Sequence, residues 1–155
     1  NDINNIIIFD FEEFILKNIE QSSSKGLELR YQWDYKPING RLLLRYQDPK
    51  DQMGQQLIRR SKKSMSLNVY RDFAIGSLNL NLSAFDKRND FGGIVLPGYS
   101  LINFSFFKEI SNQLGLSIRL ENILDKEYYT ASGFNAYYRN QGRSLWLNIT
   151  YKFKY

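Results

Sequence analysis

The feature that most restricts the fold of this chain is a two-residue alternation of apolar and polar side chains. Successive side chains of a β-strand point to opposite faces of a sheet, so this period predicts strands rather than helices. Seven stretches show it, at residues 27–35, 42–46, 65–69, 78–84, 102–106, 114–120 and 145–155, and an apolar run at residues 3–9 adds an eighth candidate strand. The sequence therefore predicts an all-β chain.

The connections between these stretches alternate in length. Short ones lie near residues 36–40, 71–74 and 108–112, long ones at 48–56, 87–98 and 124–143, and a tighter link at 10–13. Short turns at one end and long loops at the other are typical of an antiparallel up-and-down meander. Residues 14–35 are long enough for one continuous strand, with residues 21–24 as the place where it would break.

Composition removes several classes of function. The chain has no Cys and no His, which excludes disulfides, thiolate metal sites and the commonest general base. It carries 11 Tyr, 11 Phe and 2 Trp, which are residue types that favour strands. Its longest unbroken apolar run, residues 6–9, is far shorter than the about 20 residues of a transmembrane helix. Since the first residue is Asn1 and no leader pattern precedes it, we expect a processed chain or part of a longer one.

The pattern alone leaves two classes open. In a soluble β-domain, the apolar face packs into a core and the polar face meets water. In an outer-membrane barrel, the apolar face meets lipid, the polar face lines the lumen, and each strand needs about 9 to 11 residues. Aromatic residues near strand ends, among them Trp33, Tyr46 and Tyr151, favour the barrel because such residues form girdles at the membrane interface.

The last third of the chain narrows this choice. Residues 116–153 contain an Asn-Ile-Leu-Asp-Lys-Glu-Tyr box at Asn122–Tyr128, then a loop, the pair Gly142-Arg143 and a final strand with aromatic residues at its end. In this order and spacing, these features resemble the closing segment of TonB-dependent outer-membrane receptors.

The resemblance extends upstream and also has limits. Three further segments resemble strand starts of these receptors, namely Ser24–Leu29, Arg59–Lys62 and Pro97–Tyr99. The family's usual Pro before Gly-Arg is replaced at residues 140–141, and the chain runs two residues past the expected terminal Phe, to Tyr155. Nothing in the sequence resembles the plug of these receptors or the segment that engages TonB.

The resemblance implies a fold class and a domain organisation. Such receptors have a 22-stranded barrel with a plugged lumen. Residues 1–155 would be the C-terminal part of this transmembrane antiparallel up-and-down β-barrel, about eight strands, without the plug and the N-terminal strands. Because lipid does not tolerate an unpaired strand edge, another polypeptide would carry the remaining barrel and the plug. A stand-alone eight-stranded barrel is the alternative.

The resemblance also implies a function. The chain would be part of a transporter in the bacterial outer membrane that imports a scarce solute of the cobalamin or metal–siderophore type. The resemblance implies no enzyme activity and no cofactor. The compact outer loops are more similar to those of cobalamin receptors. Expected partners are the rest of the receptor, TonB, the barrel assembly machinery, outer-membrane lipid and lipopolysaccharide, and the small-molecule solute. A structural or adhesin barrel and a soluble β-domain that binds sugar or protein are the alternatives.

Three sets of residues are candidates for this function. The last long loop is rich in aromatic side chains, and we expect it to help bind the solute through Tyr128, Tyr129, Phe134, Tyr137, Tyr138 and Arg139. Charges of the polar face are expected to line the lumen or contact the plug, namely Glu28, Arg30, Arg119 and Glu121. The terminal alternation resembles a barrel-assembly signal and comprises Ile149, Tyr151, Phe153 and Tyr155.

Four other motifs receive structural interpretations. The Asn and Asp of the Asn122–Tyr128 box are expected to turn the chain as it leaves its strand. Residues 48–53 are rich in oxygen ligands but lack the spacing of a calcium loop, so they predict a turn. Residues 86–93 predict a polar loop tip. The basic run at residues 59–63 lacks interleaved aromatics, so we expect it to face lipopolysaccharide or the lumen and not to bind nucleic acid.

Overall fold

The computed structural model describes residues 2–10, 15–133 and 136–153, and it is built almost entirely of strands. The strands are β1 (Asp2–Asp10), β2 (Ile15–Tyr35), β3 (Ile38–Asp51), β4 (Lys63–Phe73), β5 (Gly76–Phe85), β6 (Arg88–Asn89), β7 (Val95–Leu96), β8 (Tyr99–Ser111), β9 (Leu114–Glu121), β10 (Tyr129–Gly133), β11 (Ala136–Arg139) and β12 (Ser144–Tyr151). A 3₁₀ turn covers Phe91–Gly93. The predicted all-β class is confirmed.

Eight strands form one antiparallel sheet in the order β1-β2-β3-β4-β5-β8-β9-β12. Each strand therefore pairs with its neighbour along the chain, and the predicted up-and-down meander of eight strands is confirmed. The four remaining strands form two small two-stranded sheets, β6 with β7 and β10 with β11, within the long loops. Over the described residues, the outer edges of β1 and β12 have no partner strand, so the sheet does not close on itself.

The sheet has two faces of opposite character. One, here the apolar face, carries exposed side chains that include Leu27, Leu29, Leu44, Leu145, Leu147 and Ile149. The other, the polar face, carries Glu28, Arg45, Asn68, Asn81, Asn103, Arg119 and Glu121. Among the described residues, the only buried hydrophobic side chain is Leu96, in a loop. The apolar face thus packs against no core of this chain, and such an extended exposed apolar surface indicates contact with lipid or protein.

The two ends of the sheet differ as the connection lengths predict. Tight turns at residues 36–37, 74–75 and 112–113 mark the short-turn end. Loops at residues 52–62, 86–98 and 122–143 mark the long-loop end, toward which β2 and β3 also extend. Strands β3, β4, β5 and β8 have 14, 11, 10 and 13 residues, enough for the about 9 to 11 residues of a membrane-spanning strand.

The segment at residues 14–35 forms one continuous strand from Ile15, and the possible break at residues 21–24 is not seen. The pairing between β2 and β3 ends at Ser22 and Asp51. Residues 15–21 of β2 therefore extend past the end of β3 and pair only with β1. No helix in the described ranges is both long and apolar enough to cross a membrane.

Candidate functional site

The Asn122–Tyr128 box turns the chain out of β9. Asn122 has a φ of 49°, and its amide closes a ring of two hydrogen bonds, donating to the Lys126 carbonyl and accepting from the Lys126 N–H, both at 2.9 Å. Asp125, at a φ of 51°, accepts a hydrogen bond of 2.8 Å from the Arg143 N–H, across the loop. A Cβ at Gly142 would lie 2.8 Å from Asp125 Oδ1, so any larger residue there would displace the carboxylate that holds the Arg143 N–H. The predicted turn-forming role of the box is confirmed.

A buried carboxylate joins the three long loops. Asp90, 3% exposed, accepts hydrogen bonds from Arg59 Nε at 2.9 Å and from the Phe91 N–H at 2.9 Å. It also accepts from the Ser132 N–H at 2.5 Å and the Ser132 hydroxyl at 3.0 Å. Arg59 in turn donates to the Ser132 carbonyl at 2.9 Å. We call Arg59, Asp90 and Ser132 the Asp90 cluster; each residue comes from a different long loop.

The electrostatics of the Asp90 cluster favour the charged carboxylate. Burial raises the pKa of Asp90, but the hydrogen bonds from the two backbone N–H groups, the Arg59 guanidinium and the Ser132 hydroxyl outweigh it. The pKa of Asp90 therefore lies below its ordinary value. Residues 86–93 were predicted to be a polar loop tip, and the structure differs: Arg88 and Asp90 are buried, because each has partners in the last long loop.

The aromatic candidates lie on a hairpin formed by β10 and β11, here the aromatic hairpin, and on the residue before it. The Tyr128 ring packs on Tyr99 at a centroid distance of 4.5 Å, in a stack that continues to Phe85 at 5.1 Å from Tyr99. Tyr129 packs on Tyr137 at 5.3 Å, and its hydroxyl donates to Glu127. These contacts anchor the hairpin to strands β5 and β8.

Strand β11 of the aromatic hairpin is exposed. Tyr137 and Tyr138 are 55% and 54% exposed, while Arg139 lies 3.5 Å from Glu127. Phe134 lies outside the described residues. The structure thus divides the predicted loop set: Tyr128 packs inward, whereas the side chains of Tyr137 and Tyr138 are exposed.

The four predicted charges of the polar face form two separate groups. Glu28 accepts from Arg30 Nε at 2.6 Å and from Arg45 Nη2 at 2.6 Å. Five steps away in the sheet order, Arg119 Nε lies 3.1 Å from Glu121 Oε1. The structure therefore does not bring the two groups together.

Between these groups, a row of asparagines crosses the polar face. The Asn81 amide donates to Asn68 Oδ1 at 2.9 Å, and the Asn103 amide donates to Asn81 Oδ1 at 3.2 Å. The row ends where the Asn122 N–H donates to Asn103 Oδ1 at 2.9 Å, so it connects β4, β5 and β8 to the box after β9. Amides that both donate and accept suit such a row across neighbouring strands.

The basic run at residues 59–63 lies at the long-loop end, just before and at the start of β4, and its members have different partners. Arg59 belongs to the Asp90 cluster, and Lys62 Nζ lies 2.9 Å from Asp48 Oδ1. The neighbouring Asp51 accepts from the N–H groups of Met53 and Gln55 at 2.9 and 2.8 Å, so the predicted turn is confirmed only from Asp51 onward. Residues 48–50, also predicted as turn, continue β3.

The terminal aromatic residues are exposed on the apolar face. Ile149 and Tyr151 lie on β12, and the Tyr151 ring meets Phe153 edge-on at 4.9 Å. Tyr155 lies outside the described residues. The assembly role of this segment remains a prediction.

Sequence reasoning missed the buried contact between Asp90 and Ser132. Ser132 is only 1% exposed, yet it stands in a loop sequence with no apolar pattern around it. Its partner lies 42 residues earlier in the chain, so no local spacing links the two. The one usable signal is the excess of charge in residues 86–90 next to Phe91 and two glycines.

Comparison with known proteins gives relatives that are transporters and receptors. No family model matches. The chain is 29% identical to the vitamin B12 transporter BtuB of Vibrio cholerae, over 97% of this chain and 25% of that protein. It is 28% identical to BtuB of Vibrio vulnificus, over 88% of this chain and 22% of that protein. The chain thus spans about a quarter of the length of these curated relatives.

Two receptors of known structure share this fold. The ferric yersiniabactin uptake receptor FyuA of Yersinia pestis matches with a TM-score of 0.77 and 18% identity, over 90% of this chain and 25% of the receptor. The ferripyoverdine receptor of the outer membrane of Pseudomonas aeruginosa matches with a TM-score of 0.74 and 15% identity, over 97% of this chain and 23% of the receptor. Together with the B12 transporters, these matches confirm the predicted resemblance to TonB-dependent receptors and the predicted fold class.

Proposed function

We propose that this chain supplies strands of the C-terminal barrel wall, and part of the outer loops, of a TonB-dependent transporter in the bacterial outer membrane. The transporter would import a scarce solute of the cobalamin or metal–siderophore type. The observation that carries this proposal is the similarity to vitamin B12 transporters along 97% of the chain. Cobalamin is therefore the first solute to test.

The two faces of the sheet support this placement. In a barrel, the exposed apolar face would meet lipid and the polar face would line the lumen, as the alternation requires. The unpaired edges of β1 and β12 would pair with the remaining barrel strands. Each backbone N–H or C=O group left without a hydrogen bond in lipid costs roughly several kcal/mol. The remaining strands, the plug and its TonB-binding segment would be supplied by other parts of the receptor.

The polar-face charges are our candidates for contact with the plug. Glu121 is held on both sides, by Arg119 at 3.1 Å and by the Trp146 Nε1–H at 3.2 Å, so it presents a fixed carboxylate. Glu28 and Arg30 would line the opposite part of this wall. We expect Arg119→Ala in the full-length receptor to reduce transport, measured as solute uptake; unchanged transport would count against a plug contact.

The proposal is tested by uptake in the host cell. Deleting the gene of the full-length receptor should lower the uptake of nanomolar radiolabelled cyanocobalamin to the level of non-specific entry. A plasmid copy should restore it, and collapse of the inner-membrane proton gradient should abolish it. A loss of ferric siderophore uptake instead would shift the solute to the metal–siderophore type. Uptake of both solutes at the level of the parent strain would contradict the transporter proposal.

The exposed rings of the aromatic hairpin are expected to contact the solute. Large aromatic side chains dominate binding energy because they bury much area at little cost in conformational entropy. We expect Tyr137→Ala and Tyr138→Ala in the full-length receptor each to weaken solute binding about tenfold. Tyr137→Phe should bind nearly as the parent does.

Tyr70→Ala is the matched control for the hairpin variants. Tyr70 lies at the short-turn end, is 37% exposed, and its hydroxyl donates to Asp72 at 2.5 Å. Equilibrium titration of the purified receptor with cyanocobalamin gives the comparison. Equal affinities for the hairpin variants and the control would remove Tyr137 and Tyr138 from the site.

A further inference from the structure

A pocket of about 260 Å³ opens on the polar face at the long-loop end. Its lining includes four arginines, Arg45, Arg59, Arg60 and Arg88, and no acidic residue. We call it the arginine pocket. Because the positive charges converge on a concave site whose protein walls lower the local dielectric constant, they act more strongly there than they would in open water.

Two of these arginines have carboxylate partners outside the pocket. Arg45 bonds Glu28 through two nitrogens, at 2.6 and 2.9 Å. Arg59 bonds Asp90, at 2.9 Å. These ion pairs fix the positions of both guanidinium groups, and neither carboxylate lines the pocket.

The other two arginines have no ion pair with any residue that the structure describes. Arg88 is 5% exposed; it donates to the Tyr129 carbonyl, and its guanidinium lies 5.1 Å from the centre of the Tyr99 ring. Arg60 is exposed, and its own carbonyl accepts a bond from Gln56. A buried guanidinium without a counter-charge is unfavourable, so an external anion would stabilise Arg88 strongly.

We propose that the arginine pocket binds an anionic oxygen group of the transported solute, a phosphate or a carboxylate, between Arg60 and Arg88. This inference rests on the proposed function and names the chemistry of its solute. Guanidinium groups bind both kinds of oxyanion through paired N–H donors. The pocket is smaller than the about 300 to 1,000 Å³ of sites that enclose a whole ligand. It therefore holds one group of a larger solute.

The pocket adjoins the predicted aromatic contacts. Thr130 lines it and belongs to β10, within the aromatic hairpin. The residue before it, Tyr129, receives the Arg88 bond and packs on the exposed ring of Tyr137. A solute whose anionic group enters the pocket can thus place its remaining surface against the ring of Tyr137.

The test uses the purified full-length receptor in detergent, at low salt, with sodium pyrophosphate and sodium citrate as phosphate and carboxylate probes. Isothermal titration should detect binding of one probe, weakening as salt is added because the contacts are ionic. Arg60→Gln should weaken probe binding by about tenfold or more, because it removes one charge-assisted contact. Arg88→Met should abolish it. Arg71→Gln removes the same charge near the short-turn end, where Arg71 lies over Phe73, and should change nothing.

Each result bears on the proposal. Saturable binding that Arg60→Gln weakens and Arg71→Gln does not would support it, and the tighter probe identifies the group. No binding of either probe to the unmodified receptor would overturn it, as would equal effects of Arg60→Gln and Arg71→Gln. Arg60 is exposed, so this variant stays informative even if Arg88→Met fails to fold. Because the titration is independent of uptake, intact cobalamin transport without probe binding would reject this inference alone.

Discussion

Replacing Asp90 with alanine should weaken the contacts that hold the three long loops together. The carboxylate is buried and accepts four hydrogen bonds, two of them from backbone N–H groups, and its removal breaks all four. Removing one partner of a buried ion pair costs about 3–5 kcal/mol. The side chain of Arg59 is 40% exposed and can recover water, so we expect about 2–3 kcal/mol here. Hydrogen exchange at the Phe91 and Ser132 amides and protease cleavage of the loops should both accelerate.

Asp72→Ala is the matched control for this variant. Asp72 also accepts two side-chain bonds, from Tyr70 and Ser77, but lies exposed at the short-turn end. It should leave the long loops protected. Asp90→Asn keeps the size and one acceptor oxygen, so its loops should exchange at an intermediate rate. Loops of Asp90→Ala that resist protease as the parent does would contradict the clamping role of the Asp90 cluster.

The same cluster should respond to acid. The folded-state pKa of Asp90 is lowered, so its contribution to stability is present above the ordinary carboxyl pKa of about 3.9 and is lost as pH falls through the folded value. The protection factors of the loop amides in the parent, which compare each exchange rate with its intrinsic rate at the same pH, should therefore fall below about pH 4. Asp90→Asn should remove this acid-dependent component, since an amide does not titrate in that range.

Asn122→Ala should destabilise the receptor by an amount similar to that of Asp90→Ala. The variant loses two side-chain hydrogen bonds, each worth about 1 kcal/mol, and places alanine at a left-handed φ that costs it about 1–2 kcal/mol. The expected loss is about 3 kcal/mol, measured by urea unfolding of the full-length receptor. Loop 122–143 should also lose protection, because the turn sets the direction in which it leaves β9.

Two further variants divide this loss between its causes. Glycine tolerates the φ of 49°, so Asn122→Gly loses only the hydrogen bonds. Its loss of unfolding free energy should be about 1 kcal/mol smaller than that of Asn122→Ala. Asn79 makes no side-chain hydrogen bond with a described residue, so Asn79→Ala is the control and should be nearly neutral. An alanine variant at position 122 as stable as this control would show that the box does not depend on its asparagine.

The strands could be predicted because their physics is local. Leu145, Leu147 and Ile149 alternate with polar neighbours, and the exposed apolar face of β12 follows directly from that period. The turn-forming role of Asn122 could also be predicted, since its amide bonds a backbone only four residues away. In both cases, the information lies within one short window of sequence.

The long-loop end could not be predicted because its contacts join distant segments. Arg59 and Asp90 are 31 residues apart, and Asp90 and Ser132 are 42 apart. Once β3, β4, β5, β8 and β9 pair in register, the loops between them meet at one end, and only then do these side chains come within bonding distance. The sequence thus shows that a loop contains polar residues, but the partners of those residues can be assigned only once the sheet is known.

The asparagine row sets how a solute would travel once it leaves the mouth of the proposed barrel. Along the middle of β4, β5 and β8, the polar face offers amides and hydroxyls, such as Asn68, Asn81 and Ser83, and no net charge. Much of their bonding capacity is already used by one another. Passage requires sites that a solute can leave quickly. This stretch of wall would therefore bind the solute only weakly. The time that the solute stays bound would depend on its contacts at the long-loop end.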